Sequence, residues 1–413
     1  MRHNTVRSAS RLPPALKYPA FVRLWAGSIV SSIGTQMNNV AKVWLLYQLT
    51  HSAAALGLEG LCFSLPIAVL PLVAGPVVDH LDRLLVIKVA QLVEMVESVA
   101  LAAGSATNGL QPWMIYLAAA VAAARLSFAI PASTAVTPAL VSKSALLSAM
   151  SMGAIVWSSS ALIGPALAGL LLASAPAATV FVVNGLSTLA AFLALVPVTR
   201  ESLRTGAQPG PVSRPAEGVR YLLRNPRLPV LQTLVFITNT LLIGTETLLP
   251  VLDVQVWNGG TVGYGLLRTA PGIAAVVAGL TFSLLRPPTN TFHAIMIGVG
   301  LACAGLVCFV RISSLGWGFA LLSLATFALV GAQILVVTSI QQDTPDRLRG
   351  AVGGVTAISQ SGLAGMAAAA MAVMAAAIGA PAALTVTVAA AAPVALACAG
   401  YAGRRRQNVP TVG

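Results

Sequence analysis

Residues 75–85 read GPVVDHLDRLL and set Asp79, His80, Asp82 and Arg83 within five positions. On either side lie apolar runs, 53–78 and 84–107, in which charges are few. Each run exceeds the about 20 residues that a helix needs to cross a bilayer. The charged stretch therefore reads as a short turn between two membrane-spanning helices.

The same alternation of long apolar run and short polar turn continues in both directions. Twelve candidate spans fall at 21–48, 53–78, 84–107, 112–134, 146–174, 177–199, 228–253, 262–286, 291–312, 316–340, 350–378 and 381–402. The 413 residues are 57% hydrophobic and only 8% charged, against about 25% charged in a soluble domain, so a water-facing surface cannot be built from them. The runs are Ala-rich and continuous, without the alternation of a membrane barrel. The fold class expected is an all-α membrane protein of twelve transmembrane helices.

The net charge of +13 is distributed in one pattern. With the N-terminus inside, twenty of the twenty-four Lys and Arg fall in cytoplasmic segments, the exceptions being Lys42, Arg125, Arg268 and Arg311. This is the positive-inside bias, and it places both termini in the cytoplasm. No basic patch with interleaved aromatics points to nucleic acid. Residues 1–20 are basic, but the apolar run that follows is too long for a signal peptide, so it reads as a retained first span. Cys62, Cys303, Cys308 and Cys398 lie inside apolar runs without C-x-x-C spacing and read as packing residues rather than redox or metal groups.

The only long polar connection, 200–227, divides the chain into six spans and six. The organisation expected is a tail at 1–20, an N-terminal bundle at 21–199, a cytoplasmic linker at 200–227, a C-terminal bundle at 228–402 and a tail at 403–413. Within the linker, 216–224 fits either a basic surface helix with Tyr221, Leu222 and Leu223 toward lipid or a solvated connector. The halves repeat: TPALV (137–141) and TPDRL (344–348) are offset by 207, and Leu56-Gly57-Leu58 and Tyr264-Gly265-Leu266 by 208. Six spans repeated in one orientation describe the two halves of a rocking transporter with its site at the midplane.

In the opening stretch Gly75, Asp79 and Arg83 stand four apart, which resembles the loop motif G-x-x-x-D-R-x-G-R-K of the major facilitator superfamily. FVRLWAGSIVSSIGTQM, WLLYQLTHSAAALGL, LDRLLVIKVAQ, IGPALAGLLLA and TPDRLRGAVGG are similar to its twelve-span branch of drug/proton antiporters and siderophore exporters of the enterobactin type. The likeness runs from about residue 17 to 402. It implies two six-helix bundles related by a pseudo-twofold axis, and a latch, Gly75, Asp79, Asp82 and Arg83, that docks near Ala351 to Gly354. His80 stands where the family has Arg, Asp82 where the general motif has Gly, and Leu84 where a second base is usual, so a weaker latch is implied. The matching loop of the second half, LLRPPTN, keeps Arg286 without an acid. Gly164, Pro165 and Gly169 resemble part of the antiporter motif G-x-x-x-G-P-x-x-G-G. Pro removes a helix hydrogen bond and the glycines allow close helix approach, which fits an export signature or a plain packing kink.

Ionisable groups inside spans cost about 2.5–3.5 kcal/mol on insertion scales and mark function by default. The acids so placed are Glu59, Glu94, Glu97 and Glu246; the bases are Lys42, Arg125 and Arg268. Depth pairs Lys42 with Glu59, Glu246 with Arg268, and Arg125 with Glu94 or Glu97. Three bases against four acids leave one carboxylate over, and an unpartnered carboxylate in low dielectric protonates nearer neutral pH, as proton coupling requires. The bland alternative is a set of static pairs holding helices together. By the resemblance, spans one, four, seven and ten line the cavity, whose wall would then include Gln36, Asn39, Lys42, Arg125, Asn239, Glu246 and Gln333. A mostly apolar chamber with such anchors suits amphiphilic organic molecules.

No nucleophile elbow, phosphate loop or metal spacing occurs, so neither an enzyme nor a cofactor is expected. The reading is a proton-coupled exporter of a drug-like or siderophore-like molecule in the cell inner membrane, working by alternating access. Its partners are a small-molecule substrate, protons and the lipid bilayer, and it acts as a monomer. The alternatives are a proton symporter or uniporter importing a metabolite, and a non-transporting membrane sensor on the same scaffold.

Overall fold

A computed structural model describes residues 13–199, 215–284 and 290–406. The linker stretch 200–214, the loop with Arg286, the outermost residues of both tails, Gly75 and the side chain of Asp79 lie outside the described residues.

The described chain forms α1 (Pro19–Thr50), α2 (Ala53–Val69), α3 (Pro71–His80), α4 (Arg83–Ala106), α5 (Pro112–Leu140), α6 (Leu146–Ser174), α7 (Ala178–Leu195), α8 (Pro215–Arg224), α9 (Leu228–Leu252), α10 (Gly260–Leu267), α11 (Ala270–Leu284), α12 (Thr291–Phe309), α13 (Leu315–Gln342), α14 (Arg349–Ala357), α15 (Ala364–Ile378) and α16 (Ala380–Arg406). Among the described residues there is no strand, and nine segments are long and apolar enough to cross a membrane. The broken pair α2–α3 and the longer, more polar α1 and α4 make the arrangement compatible with twelve passes.

The sequence sets the ends and breaks. Pro19, Pro71 and Pro112 stand in the first turns of α1, α3 and α5, where a missing N–H costs nothing. Asp82 caps α4, its Oδ1 accepting from the Leu84 amide at 3.1 Å. Asn290 caps α12 in the same way through the His293 amide. His51, which follows α1, Asn108 and Asn258 take up left-handed conformations in the turns. Pro66 and Pro71 interrupt pass two, and pass eight breaks at Arg268 and Thr269 before Pro271. π turns occupy Asp253–Trp257 and Ile358–Leu363, sites where inserted residues bend a helix.

Within the first half α1 packs on α6 and α7, α4 on α5 and α7, and α2 on α5; within the second, α13 packs on α9, α11 and α12, and α15 on α9 and α16. The bundles meet where α2 runs along α15 and where α6 meets α10 and α11. The ends near α8 carry Lys17, Arg23, Arg83, Lys88, Lys143, Arg220, Arg224, Arg227, Arg347 and Arg349; this is the linker side, and the opposite one is the distal side.

α8 covers the span expected of a linker helix, but its contacts differ from the lipid-facing arrangement. Leu222 is buried, Gly218 lies against the Ala351 backbone of α14, and the Tyr221 hydroxyl donates to the Asp343 carbonyl at 2.9 Å. Arg227 pairs with Asp343 at 3.3 Å. Only Leu223 of the three expected apolar residues is fully turned outward. The glycine at 218 is the reason, since a side chain there would strike Ala351 within 2.7 Å.

Candidate functional site

The ionisable groups of the membrane helices sort into three pairs and a remainder. Lys42 of α1 reaches Glu97 of α4, Nζ to Oε1 at 3.0 Å, both almost wholly buried. Arg125 of α5 meets Glu94 of α4 at 3.1 Å, and Thr35 of α1 donates to the other Glu94 oxygen. Arg268, at the end of α10, pairs with Glu246 of α9. Each pair joins two helices of one bundle.

The pairing of Arg125 and of Arg268 follows the depth argument, whereas Lys42 is joined to Glu97 and not to Glu59. Depth along the axis gives no azimuth. Lys42 sits on the inner face of α1, toward α4, while Glu59 sits on α2, the helix that runs along the other bundle. Glu59 is half-buried and has no ion pair among the described residues, although Lys42 and Arg268 both act on it electrostatically.

A polar seam continues inside the first bundle. The Ser98 hydroxyl donates to the Glu94 carbonyl, Asn184 Nδ2 donates to Ser98 Oγ at 2.7 Å, and Ser31 donates to Gln91 Oε1 at 3.3 Å. The buried charges are tolerated in such surroundings because each is held by an opposite charge. In the second bundle Gln333 Nε2 donates to Asn239 Oδ1 at 3.2 Å, joining α13 to α9. Of the proposed cavity wall, Gln36 and Asn39 are half-buried and bonded to each other at 3.4 Å, and Gln333 and Glu246 are half-buried as well. Lys42 and Asn239 are buried, and Arg125 is only 8% exposed at its side chain; both bases are committed to carboxylates.

The close contacts between bundles lie from the distal end to mid-helix. Trp44 stacks on Tyr264 with ring centroids 5.3 Å apart. A side-chain carbon at Gly57 would come within 2.7 Å of the Ala369 carbonyl, and one at Gly169 within 2.8 Å of the Thr261 carbonyl and 2.9 Å of Gly265 Cα. The glycine positions closest to the linker side are Gly362 against Ala68 and Gly272 against Ala161. Gly153, Gly279, Gly353 and Gly354 toward the linker side have no neighbour in such a position, and neither do Gly60 and Gly316 toward the distal end. Of the motif in α6, Gly169 thus belongs to the contact between bundles, and Gly164 packs on Gln36 of α1.

The latch residues divide. Asp82 is the cap of α4, and Ala351 is occupied by Gly218 of α8. One acid escaped the sequence reading: Asp253, in the π turn ending α9, is fully buried, and neither carboxylate oxygen has a hydrogen-bond partner. The Gly260 amide acts on it without the geometry of a hydrogen bond, and Gly259 and Gly263 make room for it. An acid followed by W-N-G-G-T-V-G was the available signal. Among the described residues no His, Cys, Asp and Glu cluster has the makings of a metal site.

The sequence model of a family described as transmembrane secretion effector matches residues 9–409. The chain is 25% identical over 295 residues to macrolide efflux protein A of Streptococcus pyogenes, covering 70% of this chain and 73% of that protein. It is 26% identical over 351 residues to the enterobactin exporter EntS of Escherichia coli, covering 82% and 81%. Among solved structures, the nucleoside transporter NupG superposes with a TM-score of 0.76 at 10% identity, covering 92% of this chain and 98% of that one. A bacterial homologue of the iron transporter ferroportin in an inward-facing state gives 0.74 at 15%, with the same coverage.

Proposed function

Since the chain belongs to the transmembrane secretion effector family of the major facilitator superfamily, and is thus a multi-pass membrane transporter and not an enzyme, we propose that it exports a small amphiphilic organic molecule in exchange for protons. The linker side is the cytoplasmic side in this reading, on the strength of its Lys and Arg. The observation that carries it is the placement of the contacts between bundles, which run from the distal end to mid-helix. That is the arrangement of a carrier closed at the distal end and open toward the linker side, the state in which an exporter takes up its substrate.

The substrate chamber lies between the bundles, with Gln36, Asn39, Asn239, Glu246 and Gln333 as polar anchors and Lys42 and Arg125 behind them in ion pairs. Proton exchange falls to a carboxylate among Glu59, Glu94, Glu97 and Glu246. Gly75, Asp79, Asp82 and Arg83 bias the inward-closed state, and Gly164, Pro165 and Gly169 let α6 slide on its neighbours. A macrolide or a siderophore is the substrate class favoured by the names of the two relatives.

The test is flux in inside-out vesicles from cells overproducing the protein, with a radiolabelled macrolide and enterobactin as probes. An acid interior should drive accumulation of one of them, and a protonophore should abolish it. Accumulation driven by the opposite gradient would establish import instead.

A further inference from the structure

α8 docks on the second bundle by one face. Gly218 and Leu222 turn toward α14, and Tyr221 donates to the Asp343 carbonyl. Val219 and Leu223, one turn apart on the neighbouring stripe, are 43% and 73% exposed. They edge a groove of about 330 Å³ that runs along the first turns of α9 and the π turn Ile358–Leu363. At its end away from α8 stand Phe236, half-buried, and Leu363, 45% exposed. We propose that this groove binds one anionic phospholipid of the linker-side leaflet, its phosphate on Arg220 and Arg224 and an acyl chain along α9. The proposal goes beyond the transport reading and holds for either direction of flux.

Three observations select this occupant, and charge is the first. Arg220 and Arg224 are exposed, stand one turn apart beside the stripe of Val219 and Leu223, and have no hydrogen bond or ion pair among the described residues. The next arginine, Arg227, is by contrast taken by Asp343. A guanidinium grips a phosphate through two parallel N–H bonds, and bases at a membrane surface attract anionic lipids. The second observation is an unused donor. Gln232 lines the groove between α8 and Phe236; its Oε1 accepts from Thr356 at 3.3 Å, and its Nε2 is buried without a hydrogen-bond partner. A phospholipid carries ester carbonyls, which are acceptors, between its phosphate and its chains. The third is the apolar end of the groove, which a free anion on the arginines would leave uncovered and an acyl chain covers.

The consequence is mechanical. One lipid touches α8, α9 and the π turn at once, so it fastens the linker helix to the second bundle where pass eleven bends.

The experiment is native mass spectrometry of the full-length protein in detergent, titrated with dioleoyl phosphatidylglycerol, dioleoyl phosphatidylcholine or inorganic phosphate. One phosphatidylglycerol should bind ahead of any phosphatidylcholine, and inorganic phosphate should not displace it. Arg220→Gln with Arg224→Gln should weaken that first site roughly thirtyfold. Arg23→Gln with Lys143→Gln removes the same charge from exposed positions of the first bundle and should leave it unchanged. Leu363→Trp, which fills the apolar end, should weaken it as well. Hydrogen exchange over residues 215–224 should slow on adding phosphatidylglycerol in the native protein and stay unchanged in the double arginine variant, whose native exchange elsewhere shows that it folds. Equal losses in the two charge-removal variants would mean attraction by charge alone, and displacement by inorganic phosphate a plain anion site. Either result overturns the proposal, as does binding that leaves α8 unprotected, which would place the lipid elsewhere.

Discussion

At the scale of single residues, three pairs of membrane charges meet a simple requirement, that a buried charge needs a partner close by, and Asp253 departs from it. Lys42–Glu97 and Arg125–Glu94 are buried to within a few per cent of their surface, so removing one member strands the other. Glu97→Leu or Lys42→Met alone should each destabilise the protein by about 3–5 kcal/mol, and the double variant by much less than their sum. Thermal unfolding of the purified variants in detergent checks this, and additive losses would mean that the pair contributes nothing as a pair. The number of ion pairs was legible from the sequence, because three bases stand in the spans. Which carboxylate is left over was not legible, since depth fixes the level of a side chain but not the face of the helix it leaves from. Asp253 was passed over for a related reason: at the end of a span an acid looks solvated, and only the π turn and the glycines after it bury the carboxylate.

At the scale of elements, the repeat seen in the sequence has a structural meaning. Leu56-Gly57-Leu58 and Tyr264-Gly265-Leu266 mark places where passes two and eight come close to the other bundle, on α15 and α6. Thr137 and Thr344 of the second matching pair each close a helix by donating to the carbonyl four residues earlier, Ser133 and Ile340. Small residues there are therefore a requirement of contact. Gly169→Ala would place a methyl group against the Gly265 backbone, and such overpacking costs about 1–3 kcal/mol. Because the strain exists only while the distal seam is closed, the variant should favour the open seam and lose most transport. Gly353→Ala, which meets open space, should transport like the native protein in the same vesicle assay. Helix positions were legible from run length and proline. The breaks at Leu70 and Thr269 and the docking of α8 were not, because apolar composition is the same on both sides of a kink and Leu222 looks alike whether it faces lipid or α14.

At the scale of the whole molecule, two bundles that each hold their charges internally are free to move as units, since opening the seam breaks no ion pair of the three. Lys and Arg placement and the midpoint linker carry an expectation of topology, but they carry none of the state of the carrier, because the same residues must fit both seams in turn. If transport requires the distal seam to open, a covalent bond across it stops the cycle. Carbon positions at Gly57 and Ala372 lie 3.1 Å apart, slightly inside the about 3.5–4.5 Å between Cβ atoms of a disulfide, and a small outward shift of α2 supplies the difference. The variant Gly57→Cys with Ala372→Cys should keep only part of the native flux when reduced, since a side chain at Gly57 also crowds the Ala369 carbonyl at 2.7 Å, lose that remainder when oxidised, and regain it on addition of dithiothreitol. Each single cysteine variant should ignore the oxidant. Continued flux through the oxidised double variant, with the bond verified by mass spectrometry, would show that substrate crosses without the bundles parting at this seam.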